Sequence, residues 1–319
     1  MLKVSSYDNT WGSSRMELNM KKVDYVIVNS IRRTILSDIP IFAFETTVNV
    51  NTSVFNNNYI KLRMSNLPVF GIENNLVFFK KTEEKDEEES NFDEGFGLMD
   101  DIELTVDKNV DSSSINNFTL YLNYENKTPD IVTVTTKDCV YFYKGKKISN
   151  PYKVDIPIIK LQPDQKINLT SVSKLGIEKE SAIYSPVSIC SYQQVSDDEF
   201  NFFLESRGQI TEHQILERAI DNLLKNVDDL IRDMSKMKTE DGMIKVGDID
   251  HTLGNLISHF AMMEKKEVEM FTYNQPHPLD IVIVFHYRLK SSTLDKVLEK
   301  VNENISKTFK NLKQQLVKK

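Results

Sequence analysis

Two cysteines and ten glycines in 319 residues are few, and each scarcity removes a class of function. Cys139 and Cys190 stand far apart with no CxxC companion, which excludes a cysteine zinc cluster and argues against a disulfide framework. A reducing compartment is expected. The glycines form neither a P-loop nor a GxGxxG turn, so no phosphate cradle is encoded. GxSxG, HxxxH and HExxH spacings are missing as well. No apolar run approaches the length that spans a bilayer, and "MLKVSSYDNTWGSSRMELN" lacks the apolar centre of a signal peptide. An excess of base is also lacking. With 47 acids against 40 bases the chain carries −7, the opposite of a protein that grips nucleic acid by neutralising phosphates. Proteins are the expected partners.

What is present is strongly patterned. In 24–37, "DYVIVNSIRRTILS", Ile27, Val28, Ile31 and Ile35 fall on one helical face, Asn29 and Arg33 point away and Arg32 lies on the border. Ile39-Pro40 stops the helix, because proline disfavours the helical region in the residue before it. Strand-like "FAFETTVNVNTSV" follows. Further on, "FNFFLESRGQI" reads as a strand leading into a helix striped by Leu216, Ile220, Leu223, Val227 and Leu230, with Thr211 and Gln214 as its capping box. The order then recurs in shorter form. "MIKVGDI" is a strand, "HTLGNLISHFAMM" a helix and "DIVIVFHYRL" a strand. A final helix is striped by Leu294, Leu298, Val301, Ile305, Phe309, Leu312 and Leu316, with Ser292 and Asp295 in a capping-box spacing. Stripes of that length predict that the two long helices pack on each other, joining two related halves face to face.

Between the copies lie a β-rich module over 69–153 ("VFGIENNLVFFK", "IELTV", "FTLYLNY", "DIVTVTT", "CVYFY") and a polar linker, 235–242. The module holds the acidic run 80–94, "KKTEEKDEEESNFDE", which has almost nothing to bury and is expected as a solvated loop.

Two short stretches invite a chemical reading. In "DHTLGNL" (250–256), Asp250 or Thr252 can cap a helix, Gly254 can admit another backbone, and Asn255 can hydrogen-bond across that approach. In "QPHPLD" (275–280), Pro276 and Pro278 hold His277 in an extended segment. A metal site from His251, His259 and His277 is disfavoured, since the first two lie two helical turns apart. Rigid loops beside a small-residue helix suit an interface better than an active site. For Arg32 and Arg33, a solvated helix face competes with a charge-assisted contact to a partner carboxylate.

The stretch "VNSIRRTILSDIPIFAFETTVNVNTSVFNNNYIKLRMSNLPV" (28–69) resembles the signature of the alpha-like subunits of multisubunit DNA-directed RNA polymerases. The resemblance lies in the Asn-Ser-hydrophobic-Arg-Arg helix, the Ile-Pro stop, the Asn-Thr-Ser turn, and Ile60, Arg63 and Leu67-Pro68. "GIEKESAIYSPV" (176–187) is similar to a later motif of that family, with Glu178, Ser181 and Tyr184 where a small residue, histidine and tryptophan are usual. "DHTLGNLI…YNQPHPLDIVIVFHYR" (250–288) resembles the small partner of that subunit. The resemblance implies an α+β chain of two pseudo-symmetric dimerisation domains, fused as in large cytoplasmic DNA viruses. The first domain (1–68 and 154–234) is interrupted by the β-rich insert (69–153), and the small-partner-like domain (243–319) follows the linker.

The resemblance also implies a function. The chain is expected to be a non-catalytic assembly platform that supports transcription by joining the two largest subunits, with other small polymerase subunits as further partners. Little direct contact with nucleic acid, no membrane, no cofactor and no metal are expected; many cellular relatives hold zinc with cysteines in the insert, and this chain lacks that cluster. The location would be host cytoplasm or virion for a viral chain and nucleus for a cellular one. Asn29, Ser30, Arg32, Arg33, Arg63 and Leu67 would meet the large subunits. His251, Thr252, Leu253, Gly254, Asn255, Pro276, His277 and Pro278 would form the intrachain pseudo-dimer. The rival readings are a hydrolase using the histidines, and a virion or adaptor module outside transcription. The clustered aspartates (DxDxD) of a phosphoryl-transfer metal site do not occur.

Overall fold

A computed structural model describes residues 2–8, 15–70, 118–237, 242–247, 249–279 and 282–317. The acidic run 80–94, the strands expected at 71–80 and 102–106, and linker positions 238–241 lie outside the described residues. Two compact units emerge: Met1–Ile39 with Ser185–Lys319, and Pro40–Tyr184.

The first unit holds both copies of the repeated pattern. In β2 (Arg15–Lys21) every second side chain, Met16, Leu18 and Met20, is fully buried. β11 (Glu199–Ser206) alternates likewise through Phe200, Phe202 and Leu204, and the antiparallel register sets Leu18 against Phe202. This is the period-two signature of a sheet with one covered face. With β1 (Leu2–Asp8) and β10 (Val187–Ser196) the order is β1-β2-β11-β10. α1 (Tyr25–Ser37) packs on β10, and α3 (Glu212–Lys236) on β11 and on α1. The Thr211–Gln214 capping box forms as expected.

The second copy contains β12 (Met243–Gly247), α4 (His251–Met263), β13 (Val268–Asn274), β14 (Val282–Leu289) and α5 (Leu294–Val317), with sheet order β12-β14-β13. Its plan repeats the first. A strand leads into a short helix, and a hairpin leads into a long one. The leading strand pairs with the second strand of the hairpin in both (β2 with β11, β12 with β14). α5 starts at Leu294, so Thr293 precedes it and Ser292 lies one residue too early to cap it. Gly242, ahead of β12, adopts φ +75, and a Cβ there would sit 2.7 Å from the Tyr287 carbonyl oxygen. Only glycine fits that turn.

The copies differ in one connection. Between α4 and β13 only residues 264–267 intervene, whereas between α1 and β10 the chain leaves to build the second unit. That unit is wider than the expected 69–153. β3 (Ile41–Asn51) pairs along its length with β9 (Lys166–Gly176), and β9 pairs with β4 (Phe118–Glu125). Residues 40–68 and 154–184 therefore belong to the body that contains the insert. Its five-stranded sheet, β3-β9-β4-β6-β7, is completed by β6 (Val140–Tyr143) and β7 (Lys146–Ile148). β5 (Val132–Thr135) and β8 (Pro157–Leu161) form a separate pair. Phe44, Phe118, Tyr141 and Leu161 are among this unit's core residues, and burying a Phe or Leu side chain contributes about 1.5–3 kcal/mol. α2 (Asn57–Ser65) buries Ile60 and Met64 against it.

Candidate functional site

The repeated halves meet through paired helices, and the short pair carries the polar contacts. Asp24 caps α1 by accepting from the Val26 amide at 2.8 Å, and Asp250 caps α4 by accepting from the Thr252 and Leu253 amides at 2.9 and 3.4 Å. Aspartate suits this position because its carboxylate satisfies amides that have no partner within the helix and faces the positive end of the dipole. Arg33 reaches from α1 to α4. Its Nε donates to Thr252 Oγ1 at 2.7 Å, that hydroxyl donates to Asp250 Oδ2 at 3.0 Å, and Arg33 Nη2 lies 3.6 Å from the same oxygen. At the other end of the pair, His259 Nε2 of α4 lies 3.8 Å from Asp24 Oδ1 of α1.

The long helices supply the apolar part. Leu216, Ile220, Leu223, Val227 and Leu230 of α3 are buried, as are Leu298, Val301, Ile305, Phe309, Leu312 and Leu316 of α5. Leu294 is only half-buried, and Val297 is buried in addition. α3 and α5 pack together and run in opposite senses, since Asn302 donates to Asp228 at 3.0 Å while Lys313 Nζ meets both Asp221 oxygens at 2.6 Å. Partly exposed ion pairs contribute about 0–1 kcal/mol each, so the two leucine-rich stripes dominate the stability of this clasp and the polar groups set its register.

The expected site residues separate into several fates. Thr252 is buried and accepts the Arg33 hydrogen bond, so it belongs to the clasp. Arg33, expected to point outward, lies instead against α4, because its long side chain bends back to the Asp250 cap. Asn29 accepts from both Arg32 Nε and Nη2 at 3.2 and 3.0 Å, a contact within α1. Ser30 and Leu67 are buried. Both pack inside the chain, and neither lies on an open face.

Gly254 does admit a close neighbour, but that neighbour is a ring and not a backbone. A Cβ at Gly254 would fall 2.8 Å from Tyr273 Cδ2 and 3.1 Å from Ile283 Cδ1. The Tyr273 phenol is pushed above its ordinary range first by burial, with Arg33 pulling it down and Asp250 pushing it up. The His251 ring lies 5.8 Å from that of Tyr273, while Leu253 and Asn255 are half-buried. Pro276, His277 and Pro278 are exposed, and His277 Nδ1 accepts from the Leu279 amide at 3.2 Å inside its own loop. Arg63 lies on α2 in the second unit, where its Nη2 donates to Pro157 O at 2.7 Å.

Of the departures in 176–187, Tyr184 packs on the glycine that opens the motif, and nothing in the structure explains Glu178 or Ser181. The Tyr184 ring covers Gly176 so closely that a Cβ would fall 2.6 Å from Cε2. Burial raises the Tyr184 phenol, with Glu45 and Glu180 adding to it. Cys139 and Cys190 are both free thiols. Each is pushed up to about 12, first by burial; Asp138 adds at Cys139, whereas Tyr141 there and Arg32 at Cys190 oppose it. Among the described residues no group of three or more His, Cys, Asp or Glu side chains is placed to hold a metal ion. Sequence reasoning missed Asp24, His259, Tyr273, Asp221 and Lys313 as interface residues. The usable signal was the aspartate preceding each short helix.

Family comparison agrees with this architecture. Residues 17–227 match the RNA polymerase Rpb3/Rpb11 dimerisation domain, and residues 242–315 match a second domain of the same description. A protein of Acanthamoeba polyphaga mimivirus, whose name assigns it to a DNA-directed RNA polymerase as subunit R470, is 26% identical over 94% of this chain and 88% of its own. Human subunit RPAC1 of DNA-directed RNA polymerases I and III is 27% identical, covering 60% of this chain and 59% of its own. Subunit Rpo3 from Methanocaldococcus jannaschii is 40% identical over 23% of this chain and 37% of its own. With one dimerisation domain matched over most of the chain and a second completing it, the chain belongs to the RNA polymerase Rpb3/Rpb11 dimerisation family and carries both mates in one polypeptide.

Proposed function

We propose that this chain is the assembly platform of a DNA-directed RNA polymerase, joining the two largest subunits and contributing no catalytic group of its own. The observation that carries the reading is the clasp: the paired domains that the family forms are folded here within one chain, through α1 with α4 and α3 with α5. A preformed pair needs no bimolecular step before larger subunits dock, which lowers the entropic cost of assembly. The docking residues are Asn29, Arg32 and Arg63, with other small polymerase subunits as further partners. Direct contact with nucleic acid is minor in this reading, in keeping with the net charge of −7. No helix among the described residues is long and apolar enough to cross a membrane. The mimivirus likeness over 94% of the chain favours a viral source, hence host cytoplasm or virion.

Tagged chain recovered from producing cells tests this. Co-recovery of two far larger subunits with template-dependent RNA synthesis is expected. Stable association with capsid components alone, or recovery of this chain with a hydrolytic activity lost on His251→Ala, would contradict it.

A further inference from the structure

The five-stranded sheet of the second unit has a covered face and an open one. Along β4, Phe118, Leu120 and Leu122 are buried, whereas Tyr121 is 45% exposed. The register places Tyr121 opposite Val140 of β6, and Thr119 opposite both Phe142 of β6 and Val172 of β9. Val140 and Val172 are each 36% exposed, and Phe142 is half-buried. The Tyr121 and Phe142 rings meet edge to face, with centroids 5.6 Å apart. The outer face of an antiparallel sheet ordinarily carries polar side chains, and an aromatic pair with two valines there marks a contact surface.

Lysines border this pair. From Cys139 to Val154 the chain holds four lysines and no acid, although acids outnumber bases overall. β6 and β7 are joined by Lys144 and Gly145, at φ +50 and +73, a tight hairpin turn. Lys144 Nζ lies 5.4 Å from the centroid of the Tyr143 ring. Lys147 is exposed and sits opposite Phe142 on the edge strand β7. The acids of the same face already have partners: Glu45 meets Lys174 at 3.8 Å, and Glu125 meets Lys127 at 3.6 Å.

We infer that this face, from β4 to the β6–β7 hairpin, binds single-stranded RNA. Bases stack on Tyr121 and Phe142 while phosphates pair with Lys144 and Lys147, the combination by which proteins hold single strands without reading their sequence. An acidic peptide would satisfy the lysines without using the ring faces. A duplex keeps its bases stacked inside and offers the rings nothing. RNA is the occupant because, on the assembly reading above, the chain belongs to an enzyme whose product is a single strand. The contact is one patch on a chain of net charge −7, so it is weak and salt-sensitive.

The test is fluorescence anisotropy of the purified full chain with a labelled oligouridylate of about 16 nucleotides, the upper site size of one such platform. The variants are Tyr121→Ala and Lys144→Asn/Lys147→Gln, asparagine being tolerated at positive φ. Lys307→Gln/Lys310→Gln on α5 removes the same charge from the other unit. Melting curves establish that each variant folds. Binding weakened about fivefold or more by Tyr121→Ala and by the hairpin pair, but not by the α5 pair, supports the inference. Equal binding by Tyr121→Ala and wild type overturns it. So do equal weakening by the α5 pair, equal affinity for duplex DNA, and no binding at all. Displacement by polyglutamate as readily as by unlabelled oligouridylate of equal charge assigns the face to an acidic protein and overturns it too. No large subunit takes part, so failure here leaves the assembly platform standing. Failed co-recovery of those subunits, with oligouridylate still bound, overturns the platform alone.

Discussion

Arg33 and His259 are equivalent residues in two copies of one helix. The displacement along the chain that carries the cap Asp24 onto the cap Asp250 also carries Arg33 onto His259, Asn29 onto Asn255 and Ile31 onto Ile257. Each base faces the acid that caps the opposite helix, at 3.6 Å for Arg33 and 3.8 Å for His259. This is the reciprocal contact of a two-fold dimer, realised inside a single polypeptide. Both aspartates thus serve at once as helix cap and as partner to the other half.

The double role of Asp250 can be divided by substitution. Asp250→Asn keeps a capping oxygen and removes the charge, and should cost no more than about 1 kcal/mol in urea unfolding. Asp250→Ala removes both and should cost about 1–3 kcal/mol. Equal losses would mean that the cap contributes nothing.

Arg32 and Arg33, adjacent and alike in sequence, should respond differently. Arg33→Glu sets a carboxylate against Asp250 and should lower the melting temperature by several degrees, given about 1–2 kcal/mol of lost contact and repulsion. Arg32→Glu breaks the side-chain contact to Asn29 in its own helix and should leave melting almost unchanged while weakening recovery of the large subunits. The reverse order of stabilities would refute the placement of Arg33.

At Gly254 two effects oppose each other. Alanine favours the helix by about 1 kcal/mol, but its Cβ would press on the Tyr273 ring, and overpacking of that kind costs about 1–3 kcal/mol. Gly254→Ala should therefore destabilise the wild type, yet stabilise a Tyr273→Ala background. Stabilisation in both backgrounds would show that the ring yields freely.

Cys139 and Cys190 should resist Ellman's reagent at pH 8 until the chain unfolds, because thiolate is the reacting form and burial holds both thiols up near 12. A thiol raised in the folded state stabilises fully below its unfolded value near 8.5, and that contribution is lost as pH climbs toward 12. Stability should accordingly fall over that alkaline range, and less so in Cys139→Ser/Cys190→Ser. Rapid labelling of native protein at pH 8 would contradict the burial of these groups.

Periodicity exposed most of the first unit. The α3 and α5 stripes, the α1 stop at Ile39-Pro40 and the strand at β11 are all local patterns, and each folds as read apart from the half-buried Leu294. Three features were not legible in the sequence. The pairing of β3 with β9 joins residues more than a hundred positions apart, so the second unit's limits at Pro40 and Tyr184 were not visible in any window. α2 escaped notice because apolar residues on both faces cancel the helical signal. The outward reading of Arg33 followed its Cα direction, and the flexible side chain turns back to a carboxylate that only the fold brings near.

The central claim is that the front and rear domains of one molecule embrace each other, and zero-length carbodiimide coupling tests it most directly. Lys313 Nζ and the Asp221 carboxylate lie 2.6 Å apart across α5 and α3, so an amide between them should form readily. Mass spectrometry of the band of single-chain mass should find the peptides bearing Asp221 and Lys313 joined. Their absence there, or their appearance only in a species of doubled mass, would contradict the account.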